Sequence, residues 1–89
     1  RSLAIPTSSL KSQMGHSISA AGMIEAIACV LMLQHQMIAP TINYYHPDPD
    51  CDLDYVPNVA RTAQLNNILK NSMAFGGQNA CLIFRKAGL

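Results

Sequence analysis

Charge is what this sequence has least of. Lys, Arg, Asp and Glu together supply 12% of its 89 residues, about half the usual share of a globular domain. Hydrophobic residues supply 49%. A small free-standing protein coats itself with charge to stay soluble. This one has too little to do so, and much of its surface is expected to be covered by other protein, either the rest of a larger domain or a partner. The length allows one domain at most, with a core of modest size. A net charge of +1 supplies no field for nucleic acid. Aromatic residues, at 6%, are not interleaved with basic ones, so no stacking platform for single strands is expected. Neither a basic n-region nor a cleavage-site pattern follows Arg1-Ser2-Leu3, and no secretory signal is read there. The three cysteines, Cys29, Cys51 and Cys81, are odd in number and scattered. That favours free thiols in a reducing, cytoplasmic compartment over a disulfide framework.

What the sequence does have is pattern. Leu3 to Ser8 is a short apolar run, stopped by Pro6 and the Thr7-Ser8-Ser9 cluster, that reads as an edge or leading strand. Lys11 to Gly15 reads as a loop. Ser17 to Gln36 is rich in Ala, Leu and Met, lacks proline, and is apolar on nearly every face from Met23 to Leu33. A helix of that kind is expected to be buried. Its length would suit a membrane span, but Glu25 stands near its middle and polar residues close both ends, so a core helix is expected and no membrane insertion. Ala20, Ala21 and Gly22 leave one flank open to close approach by another backbone. Met37 to Asn43 resembles a connecting strand carrying Pro40, Tyr44 to Asp54 is a loop rich in proline and aspartate, and Asp52 to Val56 starts another short strand. Arg61 to Asn67 reads as polar linker. Two apolar runs around Gly76-Gly77 then form a β-hairpin with a wide loop. This order belongs to a layered α/β fold.

Four groups of residues carry possible chemistry. On spacing alone, Lys11 is a solvated loop residue and His16 an N-terminal helix residue. The sharper alternative is that the positive end of the helix keeps His16 neutral, able to donate an N–H to a carbonyl oxygen, with Gly15 allowing close approach. Glu25 lies either on a solvent-facing strip or in a buried pair with Lys11, since a lone carboxylate in an apolar helix is costly. Phe75-Gly76-Gly77-Gln78-Asn79 is either ordinary turn chemistry or a loop whose backbone N–H groups face a bound oxygen. The fourth group, His46 to Asp54, has aspartates at alternate positions but fails the EF-hand spacing, with Leu53 where glycine belongs and Val59 where glutamate belongs. Zinc through His46 and Cys51 lacks two further ligands. An acidic surface loop is expected and no metal. Cys29, mid-helix, and Cys81, in an apolar strand, read as inert core thiols.

Taken together, Lys11-Ser12-Gln13-Met14-Gly15-His16, Ala20-Ala21-Gly22, Glu25-Ala26-Ile27, Ile38-Ala39-Pro40-Thr41-Ile42-Asn43 and Asn71-Ser72-Met73-Ala74-Phe75-Gly76-Gly77-Gln78-Asn79 resemble β-ketoacyl-acyl-carrier-protein synthases of types I and II, over almost the whole chain. The resemblance implies the thiolase-like α/β fold, two duplicated halves stacked as α-β-α-β-α layers. This chain would be the last part of the C-terminal half, with a mixed sheet and one long buried helix.

The implied activity is decarboxylating condensation of an enzyme-held acyl thioester with malonyl-acyl-carrier protein in fatty-acid elongation. His16 matches the second of the family's two histidines, donating to the malonyl thioester carbonyl, and Lys11 its lysine. Glu25 matches the acidic residue behind the site. Phe75 matches the gating phenylalanine whose backbone N–H shares the acyl oxyanion hole. Gly76 and Gly77 would let that loop move, and Asn71 and Asn79 brace it. The nucleophilic cysteine and first histidine would lie upstream, so this chain alone is expected to be inactive.

Implied partners are acyl and malonyl carrier protein, the remainder of the synthase domain and a second copy in a homodimer, with no cofactor. Two alternatives share these motifs. One is a ketosynthase domain of a polyketide or polyunsaturated-fatty-acid synthase. The other is a non-catalytic chain-length partner, against which the retained Lys11, His16 and Phe75 speak. Ala74 and Ser19 each stand where glycine is frequent in the family. At Ala74 that would cost roughly 1 kcal/mol or more if the residue must reach positive φ.

Overall fold

A computed structural model describes residues 5–87. The chain forms two compact units, one from Arg1–His16 with Met37–Ala63, the other from Ser17–Gln36 with Gln64–Leu89.

In the first unit, α1 is a single turn, Lys11–Met14, closed by Gly15 at φ 77. The short antiparallel pair β1 (Met37–Ile38) and β2 (Arg61–Thr62) sets Ile38 opposite Arg61. Pro40 has no N–H to extend the ladder, and beyond it Thr41 makes only an isolated parallel bridge to Pro57. Thr41 is nonetheless held from both sides. Its N–H donates to the Val56 carbonyl at 2.9 Å, and its own carbonyl accepts the Asn58 N–H at 2.8 Å. Val56 is fully buried and sits at φ 50, a strained setting for a β-branched residue. Asp54 holds this turn: its Oδ1 accepts the Val56 N–H at 3.1 Å, and both its oxygens take the Arg61 guanidinium, at 2.5 and 3.0 Å.

The second unit packs a helix on a hairpin. A 3-10 turn, Ile18–Ala20, leads into α2, Ala21–His35. α2 ends at Gln36, a left-handed residue at φ 53, a position glycine usually takes. The Gln36 side chain accounts for the exception. Its Nε2 donates to the carbonyls of Leu33 (2.7 Å) and Leu65 (3.0 Å), and its Oε1 accepts the Leu65 N–H at 2.7 Å. The helix end is thereby clamped to the segment entering β3. Strands β3 (Asn67–Met73) and β4 (Asn79–Arg85) pair antiparallel, from Asn67 opposite Arg85 to Met73 opposite Asn79. The pleat of β3 alternates, with Ile68, Lys70 and Ser72 half-buried and the residues between them exposed. Lys70, on the half-buried face, meets α2.

Several expectations are corrected here. The leading strand lies partly outside the described residues, and from Ile5 to Ser9 there is no strand, Pro6 withholding a ladder donor. Lys11–Met14 is helical instead of loop, the strand expected from Asp52 does not form, and Arg61–Thr62 is strand instead of linker. The long helix is not buried in this chain. Cys29 and Leu33 are its buried residues, while Met23, Ile27, Val30 and Leu31 are exposed, as befits a helix whose other faces find no covering element among the described residues. The residues from Ile18 to His35 are long and apolar enough, by length and composition, to cross a membrane. Glu25 within them is nevertheless ion-paired to Lys70 of the hairpin. The open flank at Gly22 admits a side chain: a Cβ there would lie 3.8 Å from Lys70 Nζ.

Two tests follow from these contacts. The Arg61 hydrogen bonds, aided by the Val56 N–H, hold the Asp54 carboxyl below its ordinary range. A lowered carboxyl stabilises the fold fully above its unfolded value of about 4, and that contribution is lost as pH falls through the lowered folded value. Asp54→Asn is expected to flatten the acid limb of thermal unfolding of the full-length protein; parallel limbs for the two proteins would count against it. Gln36→Ala removes the clamp while leaving a left-handed backbone, and is expected to cost about 1–3 kcal/mol in denaturant unfolding.

Candidate active site

The Lys11-to-His16 segment is stitched along the backbone of residues 39–42. Ser8 Oγ donates to the Ala39 carbonyl. Thr41 Oγ1 accepts the Ser9 N–H at 3.2 Å, Gln13 Nε2 donates to the Pro40 carbonyl at 3.0 Å, and Ser12 Oγ accepts the Ile42 N–H at 2.9 Å. Four side chains between positions 8 and 41 thus fix the short helix that carries Lys11. Gly15 then turns the chain at φ 77, ψ 179, a conformation essentially reserved for glycine, just before His16. Both Lys11 and His16 are exposed. His16 does not open the long helix, as its sequence position suggested: α2 begins at Ala21, after the 3-10 turn.

In the second unit the hairpin gathers Asn71, Phe75, Gly76, Gly77 and Asn79. The loop between Met73 and Asn79 is closed by the Ala74 N–H donating to the Gln78 carbonyl at 2.7 Å. Gly76 and Gly77 lie at φ 88 and 86, with open space where a Cβ would stand; the need for glycine there is conformational, not steric. Phe75 stands at the tip with its ring wholly exposed. Ala74 is not at positive φ, so its replacement of a glycine carries no backbone cost in this conformation. Asn71, opposite Cys81, and Asn79, opposite Met73, are exposed on the outer face of the strands.

Glu25 lies on α2, facing the same hairpin. Its Oε1 is 3.6 Å from Lys70 Nζ, and Lys70 also donates to Ser72 Oγ at 2.5 Å. The Lys70 side chain is 9% exposed and that of Glu25 21%, so the pair is largely shielded. The structure supplies Lys70 as a cation for Glu25. Lys70 and Ser72 escaped the sequence reading because they lie 45 or more residues beyond Glu25. The signal was present in the alternation of β3, which puts positions 68, 70 and 72 on one face.

Burial pushes the Cys29 thiol up; Lys70 opposes this and Glu25 adds to it. Such a thiol is a poor nucleophile. Cys81 is exposed here rather than in a core. Among the described residues no three His, Cys, Asp or Glu side chains gather as metal ligands.

What these parts can offer is an N–H donor on a fixed arm, backbone N–H groups on a glycine-freed loop, and a shielded charge pair. Comparison with known proteins gives that set a context. Residues 1–45 match the beta-ketoacyl synthase, C-terminal domain, family. Over 86 residues, 96% of this chain, the sequence is 49% identical to the tetracenomycin polyketide synthase ketoacyl synthase alpha subunit of Streptomyces glaucescens, covering 20% of that protein. A solved type II polyketide-synthase complex, of an acyl-carrier protein with its ketosynthase bound to a hexaketide, matches with a TM-score of 0.90 and 44% identity over 93% of this chain and 20% of that one. The ishigamide ketosynthase/chain length factor matches with a TM-score of 0.91 and 48% identity, over 93% of this chain and 21% of that one. The chain thus spans about a fifth of the length of these relatives, and its mixed helix and strand content is consistent with their α/β, thiolase-like fold. By these matches the chain belongs to the β-ketoacyl synthase family, residues 1–45 matching its C-terminal domain.

Proposed function

We propose that the protein to which this chain belongs is a polyketide-type ketosynthase. It would join an acyl group, held as a thioester on a cysteine outside this chain, to a malonyl unit on an acyl-carrier protein, with loss of carbon dioxide. The observation that carries this reading is the 49% identity over 86 residues to a polyketide ketoacyl synthase alpha subunit, combined with Lys11, His16 and the Phe75 loop standing in the family's order. Fatty-acid elongation, implied by the type I and II resemblance, is supported less well, since the named relatives serve polyketide synthases. A non-catalytic chain-length partner is a second reading, prompted by the ketosynthase/chain length factor neighbour; retention of Lys11, His16 and Phe75 argues against it.

In the proposed mechanism His16 donates an N–H to the malonyl thioester carbonyl. Decarboxylation leaves an enolate on that oxygen, a charge present only as the reaction proceeds, and a donor already in place stabilises it. Lys11 supports the electrostatics of that bond, and Glu25 would act as the family's acidic residue. The Phe75 N–H would hold the acyl oxygen while its ring gates entry. The exposed position of Phe75 and the freely turning Gly76-Gly77 suit a loop that moves. The exposed apolar side chains of α2 would be covered by the remaining layers of the synthase. Carrier protein docks in the cytoplasm, and the subunit pairs with a second copy or with a chain-length partner.

His16→Ala in the full-length protein is expected to lower malonyl decarboxylation by about two to three orders of magnitude. Decarboxylation at the original rate would remove His16 from this role, and with it the proposed chemistry of the arm.

A further inference from the structure

We infer that Lys70 is a positioning residue for the Phe75 loop: it ties α2 to the strand on which that loop is mounted. Three observations lead there. Lys70 is a lysine in the middle of an otherwise neutral strand, with its side chain only 9% exposed, and a shielded ammonium needs both a counter-charge and hydrogen-bond acceptors. Both are supplied: Glu25 of α2 at 3.6 Å and Ser72 Oγ at 2.5 Å. Finally, Gly22, one helical turn before Glu25, leaves the ammonium room beside the helix, with a substituent there meeting Nζ at 3.8 Å.

The chain of contacts runs from Glu25 through Lys70 to Ser72, three residues before Phe75 and one before Met73, which pairs with Asn79 to close the loop. Beyond that closure the loop has little of its own to hold it. Its own backbone bonds are those of Ala74 to Gln78 and Gly77 to Ala74, its glycines face open space and its phenylalanine touches solvent. The position of its root is therefore set by β3, and β3 meets α2 at the Lys70–Glu25 charge pair, 3.6 Å apart, whose ammonium also holds Ser72 Oγ.

This inference rests on the reading of Phe75 as the acyl gate. The test separates the two ideas by following two reactions of the full-length synthase. One is acyl loading from the acetyl thioester of N-acetylcysteamine, read as acyl-enzyme by intact mass. The other is decarboxylation of the malonyl thioester of the same thiol. In Lys70→Met the ratio of loading to decarboxylation is expected to fall by about ten- to a hundredfold, as for a small displacement of a positioned group. Lys70→Arg, which keeps the charge, is expected to restore most of it. Ser72→Ala is expected to lower the ratio in the same direction by less, and decides the matter if Lys70→Met does not fold. A fall of both reactions in equal proportion, or no change of ratio in Ser72→Ala and Lys70→Met, would overturn the role of Lys70. A wild-type protein that forms no acyl-enzyme at all would instead overturn the ketosynthase reading beneath it.

Discussion

Apolar surface has to be covered, and in this chain the elements that carry it outnumber those available to cover it. α2 presents its Cys29 and Leu33 side inward and leaves Met23, Ile27, Val30 and Leu31 outside. The hairpin sets Leu69 opposite Ile83, and both are exposed. Covering a side chain of this size contributes about 1.5–3 kcal/mol, so a handful of them represents much of the stability of a whole domain. The low charge of the sequence and the exposed apolar faces of α2 and the hairpin are two sides of the same constraint.

Within that apolar frame, orientation comes from a few polar clamps. Gln36 closes α2 through its amide and so tolerates a left-handed backbone without glycine. Asp54 and Arg61 hold the turn in which Val56 is both buried and strained. Ser8, Ser12, Gln13 and Thr41 fix the segment that ends in His16. Lys70 and Glu25 join the hairpin strand β3 to α2. Each clamp joins residues too far apart in sequence, or too ordinary in type, to announce itself.

This division explains what could be read in advance. The hairpin was legible because two apolar runs around paired glycines admit few other structures, and its register follows from the pleat. The helix was legible in composition, though its start was not. Residues 17–20 are small or apolar and lack proline, but Ile18 adopts φ 54 and the true α-helix waits until Ala21. β2, read as linker, is two residues long, too brief for any alternation to show, and β1 keeps only the first two residues of the strand expected from Met37 to Asn43. The contact of Glu25 with Lys70 was missed because charge pairing between a helix and a distant strand leaves no local signature. The family motifs located Lys11, His16 and Phe75 in the chain; the folded structure adds how each is held.

The central claim is that this chain supplies a malonyl-side histidine arm and an acyl gate, while the attacking thiol lies elsewhere in the protein. The most direct measurement is peptide mapping of the full-length protein after exposure to an acyl thioester. A single acyl adduct on a cysteine outside these 89 residues is the expected result. An adduct on Cys29, Cys51 or Cys81, or none on any cysteine, would contradict the account.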